Sequence, residues 1–194
     1  MLDVGAGVGQ TLRLLGPFGA AERVGLDVDL DALAFGARLI ELGDEPIRFV
    51  RASATALPFP EGRFSHVISR VTLNLVHQAR ALREMARVLK RGGILYCRAE
   101  GPGAALSRLA SARNPYRFLK YLYPLAHGVV LGLSGRQLAL GTSLPSGMVF
   151  ATARNLTRTL EGAGCEIIRI EKKAGLLGFA WNHWILARKH DGRS

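Results

Sequence analysis

Three glycines alternate over Gly5-Ala6-Gly7-Val8-Gly9, directly behind the short run Leu2-Asp3-Val4. A strand that feeds such a loop must turn at once into a helix. The loop then becomes a place where a ligand comes close against backbone N–H groups. The acid two residues before the loop selects the ligand. A fixed negative charge at Asp3 repels a pyrophosphate. It suits a group that brings positive charge, such as a sulfonium with an α-ammonium group. The dinucleotide fingerprint G-x-G-x-x-G also fails, because its third glycine falls on Gln10.

Strand and helix patterns alternate through the first hundred residues, which predicts a parallel α/β sheet. Strands are expected over 1–4, 23–27, 47–51, 64–69 and 94–99. Helices are expected over 10–15, 31–42 and 79–90, the last stopped by Gly92-Gly93. Asp29 or Asp31 is the expected N-cap of the second helix. Regular order resumes with a helix over 153–162 and strands over 166–171 and 179–188. Between these parts, residues 101–150 carry Arg108, Arg113, Arg117, Lys120 and Arg136 and no acid. They also carry Tyr116, Phe118, Tyr121 and Tyr123, and read as an insertion of amphipathic helices. Residues 1–194 are expected to form a single domain.

At 48% hydrophobic residues the chain can build a full core. The formal charge of +11 favours an anionic partner. Cys97 and Cys165 have no metal-type spacing and read as reduced core thiols. His66, His77, His127, His183 and His190 show no paired ligand spacing, so no metal site is expected. No apolar run reaches the ~20 residues of a membrane span, and no basic leader precedes the first strand. The expected location is the cytoplasm, with 101–150 as the segment for peripheral contact with a membrane surface.

Three further segments stand in register with the glycine loop. Val24-Gly25-Leu26-Asp27-Val28 is a second strand that ends in an acid. Ala56-Leu57-Pro58-Phe59-Pro60-Glu61-Gly62-Arg63-Phe64 follows, and then Leu82-Arg83-Glu84-Met85-Ala86-Arg87-Val88-Leu89-Lys90-Arg91-Gly92-Gly93. In order and spacing these resemble the class I S-adenosylmethionine (SAM) dependent methyltransferases. The resemblance is strongest to the small-molecule branch that includes the quinone-biosynthesis enzymes. It covers residues 1–100 well and 150–190 loosely. It implies a Rossmann-like, doubly wound, mostly parallel seven-stranded sheet with an antiparallel last strand and a helical insertion after strand five. It implies SAM as cofactor, with Asp3, Gly5, Ala6, Gly7 and Gly9 around its methionine part. Asp27, with Val28 beside it, would meet the ribose hydroxyls. Ser53 and Ala54 would meet the adenine. Arg70, after strand four, would contact the cofactor carboxylate or an anionic substrate.

The chain departs from the family pattern at Ser53, where an Asp is usual, and at Ser65, where Phe-Asp is usual. The few tens of residues that normally precede strand one and help close the pocket are not in this sequence, so the chain reads as short at its N-terminus. The expected activity is methyl transfer to a small-molecule or lipid-like acceptor, with 101–150 as the substrate cover. Alignment for in-line attack does most of that work, and an oxygen or nitrogen nucleophile adds a base. His66 is expected to face into the sheet. His77, His127 and the tyrosines of the insertion are candidate bases, and none is assigned. Charge alone suggests an RNA methyltransferase as an alternative. The departures suggest another, a non-catalytic SAM-binding relative. The N-P-P-aromatic signature of amino-directed DNA methylation is absent after strand four.

Overall fold

Leu2, Asp3 and Val4 are all buried, and so are Val24, Gly25 and Leu26, so side chains on both faces of these strands are covered. Strands of that kind need cover on both faces, as in a parallel sheet. The computed structural model describes residues 1–16, 22–41, 46–134, 137, 149–174 and 178–192, without the side chains of Tyr123, Pro124 and Gly132. The elements are β1 Leu2–Val4, α1 Gln10–Leu14, β2 Val24–Asp27, α2 Leu30–Glu41, β3 Arg48–Arg51 and β4 Phe64–Ser69. They continue with a 3₁₀ turn at Thr72–Asn74, α3 Gln78–Val88, β5 Leu89–Glu100, α4 Pro102–Ala110 and α5 Pro115–Ser134. Last come α6 Ala153–Glu161, β6 Cys165–Ala174 and β7 Ala180–Lys189.

The seven strands form one sheet in the order β3-β2-β1-β4-β5-β7-β6. β1 to β5 are mutually parallel, and β7 is antiparallel to both β5 and β6. This is the mixed, mostly parallel sheet that the resemblance implies. From β1 the chain winds outward to β3, then returns to β4 beside β1 and winds the other way. Right-handed crossovers put α1 and α2 on one face and α3 and α6 on the other. The reversal between β1 and β4 leaves a crevice at their carboxyl ends.

The core explains which residues the helices turn inward. α3 buries Ala81, Leu82, Met85, Ala86 and Val88, a helical stripe. These pack with Leu156 and Leu160 of α6 against Leu2, Val4, Val24 and Leu26 of the sheet. On the other face Asp29 is the N-cap of α2, its Oδ1 accepting N–H from Asp31 at 3.0 Å and Ala32 at 3.1 Å. Residue 42, the expected end of that helix, lies outside the described residues.

Two expectations change. The helix expected to run to Lys90 ends at Val88, and Leu89 is already extended, with φ −77° and ψ 133°. Leu89 is buried at 1% exposure, so the core takes it as the first residue of β5. Gly92-Gly93 therefore lie in a strand irregularity, where pairing jumps from Phe64–Leu89 to His66–Ile94. Gly92 supplies the left-handed residue there, with φ +68°. His66, expected to face into the sheet, is exposed beside that irregularity, with its Nδ1 3.0 Å from Ser65 Oγ.

Two of the family-like segments prove to hold each other. Arg87 Nη1 donates to the Phe59 carbonyl at 2.8 Å, and Nη2 donates to the Leu57 carbonyl at 3.0 Å. Glu84 accepts Arg87 Nε at 2.8 Å and the Leu57 N–H at 2.8 Å. The loop 56–60 is thus clamped to α3 by a charged pair that the backbone satisfies. After β5, α4 packs on α5 and β7. Ala104, Ala105 and Phe150 form a second apolar cluster, with Leu125 and Trp181 packed against it. Arg136 and the side chain of Tyr123 lie outside the described residues.

The clamp generates a prediction for stability. Arg87→Met removes charge-assisted bonds to two carbonyls and is expected to cost ~2 kcal/mol in urea unfolding. The Arg87 guanidinium holds the Glu84 carboxyl below its ordinary value of 4.5. The stabilisation is therefore complete above that pH and is lost as pH falls through the folded value. The variant should lose less stability than the wild type on acidification. A parallel acid response in both proteins would remove the clamp from the account.

Candidate cofactor site

The turn after β1 is fixed by two N–H donors on one acceptor. Gly5 N and Ala6 N both donate to the Leu26 carbonyl, at 2.7 and 3.0 Å. Gly5, Gly7 and Gly9 have φ of 80°, 52° and 80°, all in the left-handed region. Their surroundings differ. A Cβ on Gly5 would run into Thr72 Oγ1, which donates to the Val4 carbonyl at 3.0 Å. A Cβ on Gly9 would lie 2.8 Å from the Phe49 ring. A Cβ on Gly7 would meet nothing within 4 Å. Protein atoms therefore fill the space beside Gly5 and Gly9, and Gly7 is the loop position open to a ligand.

Asp27 faces this loop from the end of β2. Its Oδ2 accepts the Gly7 N–H at 2.8 Å. Its Oδ1 accepts the Val28 N–H at 2.7 Å and the Asp29 N–H at 3.1 Å. A carboxylate offers about four lone-pair sites, so roughly one remains for a ligand. The role of Asp27 in shaping the loop is not visible in its spacing.

A cavity of about 240 Å³ opens at the sheet's switch point. Gly5, Asp27, Val28 and Ala54 line it together with Ala52, Thr72, Leu75 and Val76. Four of the expected cofactor residues thus share one cavity. Val28 stands at 62% exposure. Ser53 is not among the lining residues. Its Oγ lies 2.9 Å from Thr55 Oγ1 and accepts the Thr55 N–H at 3.2 Å, a serine turn. Thr72, Leu75 and Val76 carry no motif, and only their place after the fourth strand marks them. A larger cavity, about 320 Å³, lies between α3, α6 and the end of α5. His77, Arg83 and Arg158 line it, and neither the glycine loop nor Asp27 does.

Asp3 lies beneath the loop at 2% exposure, paired in register between Gly25 and Ile68. Burial pushes its carboxyl up from 3.8 to about 6. The Thr11 hydroxyl and the Arg70 charge oppose that rise, and Asp27 adds to it. Arg70 is exposed at the carboxyl edge and acts on this site through its field. Among the candidate bases, His77 is the N-cap of α3, its Nδ1 accepting the Arg80 N–H at 3.4 Å. His127 is buried on α5, and burial lowers its pKa. No group of three His, Cys, Asp or Glu residues able to hold a metal occurs among the described residues. Cys97 and Cys165 are free and buried.

Residues 2–97 match the family described as a methyltransferase domain. The chain is 36% identical over 126 residues to the ubiquinone/menaquinone biosynthesis C-methyltransferase UbiE of Pseudomonas paraeruginosa, covering 61% of this chain and 48% of that protein. It spans 37–48% of the length of the curated relatives it matches. Its fold is similar to a SAM-dependent methyltransferase from Mesorhizobium loti, with TM-score 0.68 and 21% identity over 97% of this chain and 89% of that one. It is equally similar to the [4+2]-cyclase SpnF, with TM-score 0.69 and 20% identity over 98% of this chain and 74% of that one. The glycine loop, the acid at the end of β2 and the switch-point cavity lie within or beside the matched stretch. Residues 2–97 belong to the methyltransferase-domain family, the described residues have the fold of the SAM-dependent methyltransferases, and family and fold together imply SAM as the cofactor.

Proposed function

We propose that this protein binds SAM in the switch-point cavity and transfers its methyl group to a small-molecule or lipid-like acceptor. The observation that carries this reading is the convergence of Gly5, Asp27, Val28 and Ala54 on one cavity, with Asp27 also accepting the Gly7 N–H. In this reading the adenosine lies between Val28 and Ala54, and the Asp27 carboxylate accepts a ribose hydroxyl at its free lone pair. The methionine part crosses the open side of Gly7, with its ammonium group toward Asp3. The sulfonium brings the methyl group already activated, so the protein's task is alignment and exclusion of water. UbiE acts in quinone biosynthesis by its name, and a related acceptor suits the exposed apolar residues Tyr116, Phe118, Leu119 and Leu122 of α5. No helix among the described residues is long and apolar enough to cross a membrane. A lipid-like acceptor would therefore be met from the membrane surface, through the basic residues of α4 and α5.

A second reading is SAM binding without methyl transfer. It is favoured by Ser53, which folds away from the cavity, and by SpnF, a cyclase with this fold. Calorimetry with S-adenosylhomocysteine tests the binding common to both readings. Wild type should bind, and Asp27→Ala should weaken binding by about tenfold or more, the loss of a charge-assisted bond. Equal affinity in the two proteins would remove Asp27 from the site. Release of S-adenosylhomocysteine from SAM in the presence of candidate quinols and phenols then separates the readings.

Asp3 gives a pH signature. Its folded pKa is raised, so its ionisation costs stability that is lost as pH climbs from 3.8 through about 6. A cation placed beside it favours the ionised form. Affinity for S-adenosylhomocysteine should rise about fivefold between pH 5 and pH 7 and then level off. Asp3→Asn should bind with a flat profile. A flat profile in the wild type would mean that the ammonium group lies elsewhere.

A further inference from the structure

The two faces of α5, Pro115–Ser134, differ in what they meet. The inner face is fixed to the body. Leu125 packs on the cluster of Ala104, Ala105 and Phe150, and Leu131 is buried. A Cβ on Gly128 would lie 3.3 Å from the Phe150 Cβ. Asn155 of α6 donates from Nδ2 to the Leu131 carbonyl at 2.8 Å. The outer face carries Leu119, Leu122, Ala126, Val129 and Leu133, at successive steps of three and four residues. That spacing sets them on one line along the helix. Ala126 is exposed, and the other four are 40 to 86% exposed. From Leu119 to Leu133 the line is about 21 Å long. None of its side chains can donate or accept a hydrogen bond.

Charge decides what covers this line. Residues 101–150 contain no acid, and residues 121–134 contain no Asp, Glu, Lys or Arg. Arg113 and Arg117 are exposed where the line begins. Residues 115–119 are all exposed, so the first turn of α5 projects from the body and carries Arg117 between Tyr116 and Phe118. A protein partner would find little to pair with on the line, because protein interfaces carry about one hydrogen bond per 100–200 Å². A second copy of this chain would bring another charge of +11 against the first. An anionic lipid surface meets both parts. It offers an apolar layer to the line, phosphates to the cations and a boundary that suits aromatic rings. With its inner face packed on protein, α5 would lie along such a surface, and no helix among the described residues is long and apolar enough to cross a membrane.

The line also leads toward the cofactor cavity. Gln137, three residues beyond α5, donates from Nε2 to the Val76 carbonyl at 3.0 Å, and its Oε1 accepts the Gln78 N–H at 2.8 Å. Val76 lines the cavity. Val71 and Leu75 line it too, and both are exposed apolar residues. Leu133 stands four residues before Gln137, so the chain holds it within about 14 Å of that anchor.

We propose that α5 docks flat on an anionic membrane surface, with the line from Leu119 to Leu133 in the headgroup layer and Arg113 and Arg117 on lipid phosphates. The docking stands on α5 alone. Its use, to bring a lipid-like acceptor to the rim formed by Val71 and Leu75, rests on the methyltransferase reading above.

Vesicle flotation tests the docking. Wild type should float with vesicles of phosphatidylcholine and phosphatidylglycerol, and far less with phosphatidylcholine alone. Added salt should weaken the binding. Leu119→Gln with Val129→Gln and Leu133→Gln should reduce it about tenfold or more, through lost apolar burial. Arg113→Gln with Arg117→Gln should reduce it by a similar factor. Arg83→Gln with Arg158→Gln, on α3 and α6, removes the same charge elsewhere and should leave it nearly unchanged. Every substituted side chain is exposed, and thermal melting of each variant shows that the fold is retained. No flotation of the wild type overturns the docking, as does equal flotation on neutral and anionic vesicles. Full flotation of the line variant also overturns it. Equal weakening by both arginine pairs would assign the binding to net charge and overturn the role of α5. Sedimentation velocity without vesicles adds a further arm. A dimer of the wild type that the line variant dissociates would mean that a second copy covers the line, which overturns the proposal. If S-adenosylhomocysteine gives the wild type no thermal shift, the methyltransferase reading and the delivery of an acceptor fail. The docking then stands or falls on flotation.

Discussion

The Asp27 carboxylate ties the end of β2 to the loop after β1 through the Gly7 N–H at 2.8 Å. Most of the candidate site depends on that bond. It fixes Gly7 beyond the turn that the Leu26 carbonyl sets, and leaves space beside Gly7 that no protein atom fills. Phe49 of β3 supports the arrangement from behind. Its ring fills the space where a Cβ on Gly9, Gly25 or Gly36 would lie. Three glycines from the loop, β2 and α2 thus converge on one aromatic ring. The loop is therefore a rigid, preorganised surface rather than a flexible tether, and little ordering remains for a ligand to impose.

A second fixed point orders the other half of the edge. Asn74 Nδ2 donates to the carbonyls of Glu100 at 3.0 Å and Val149 at 2.8 Å, and its Oδ1 accepts the Glu100 N–H at 2.7 Å. The side chain is thus fully engaged. It joins the segment after β4, the end of β5 and the chain that returns toward α6. Buried networks of this kind specify one arrangement because a half-satisfied amide is costly. The Arg108 pair with Glu100 extends it into α4. The start of α4 is consequently anchored at the carboxyl edge of the sheet.

Much of the fold was legible in the sequence because each strand and helix carried its own period. The glycine loop and the acid at position 27 pointed to the cavity that Gly5 and Asp27 line, because a left-handed turn and a carboxylate at a strand end leave a mark on residue type. Ser53 was legible only as a hydroxyl near the third strand, and its turn with Thr55 gave no signal of its own. The missing parts share a cause. Thr72, Leu75 and Asn74 act through tertiary position, and ordinary residues at ordinary spacing give no local signal. α3 ends at Val88, ahead of the glycine pair, because burial takes Leu89 into β5.

The central claim is that the cavity between the glycine loop, Asp27 and Ala54 receives the cofactor. The structure of this protein crystallised with saturating S-adenosylhomocysteine tests it most directly. The account predicts the ribose against Asp27, the adenine between Val28 and Ala54, and the ammonium group over Gly7 and Asp3. Ordered ligand bound elsewhere, or an empty cavity at saturating ligand, would contradict it.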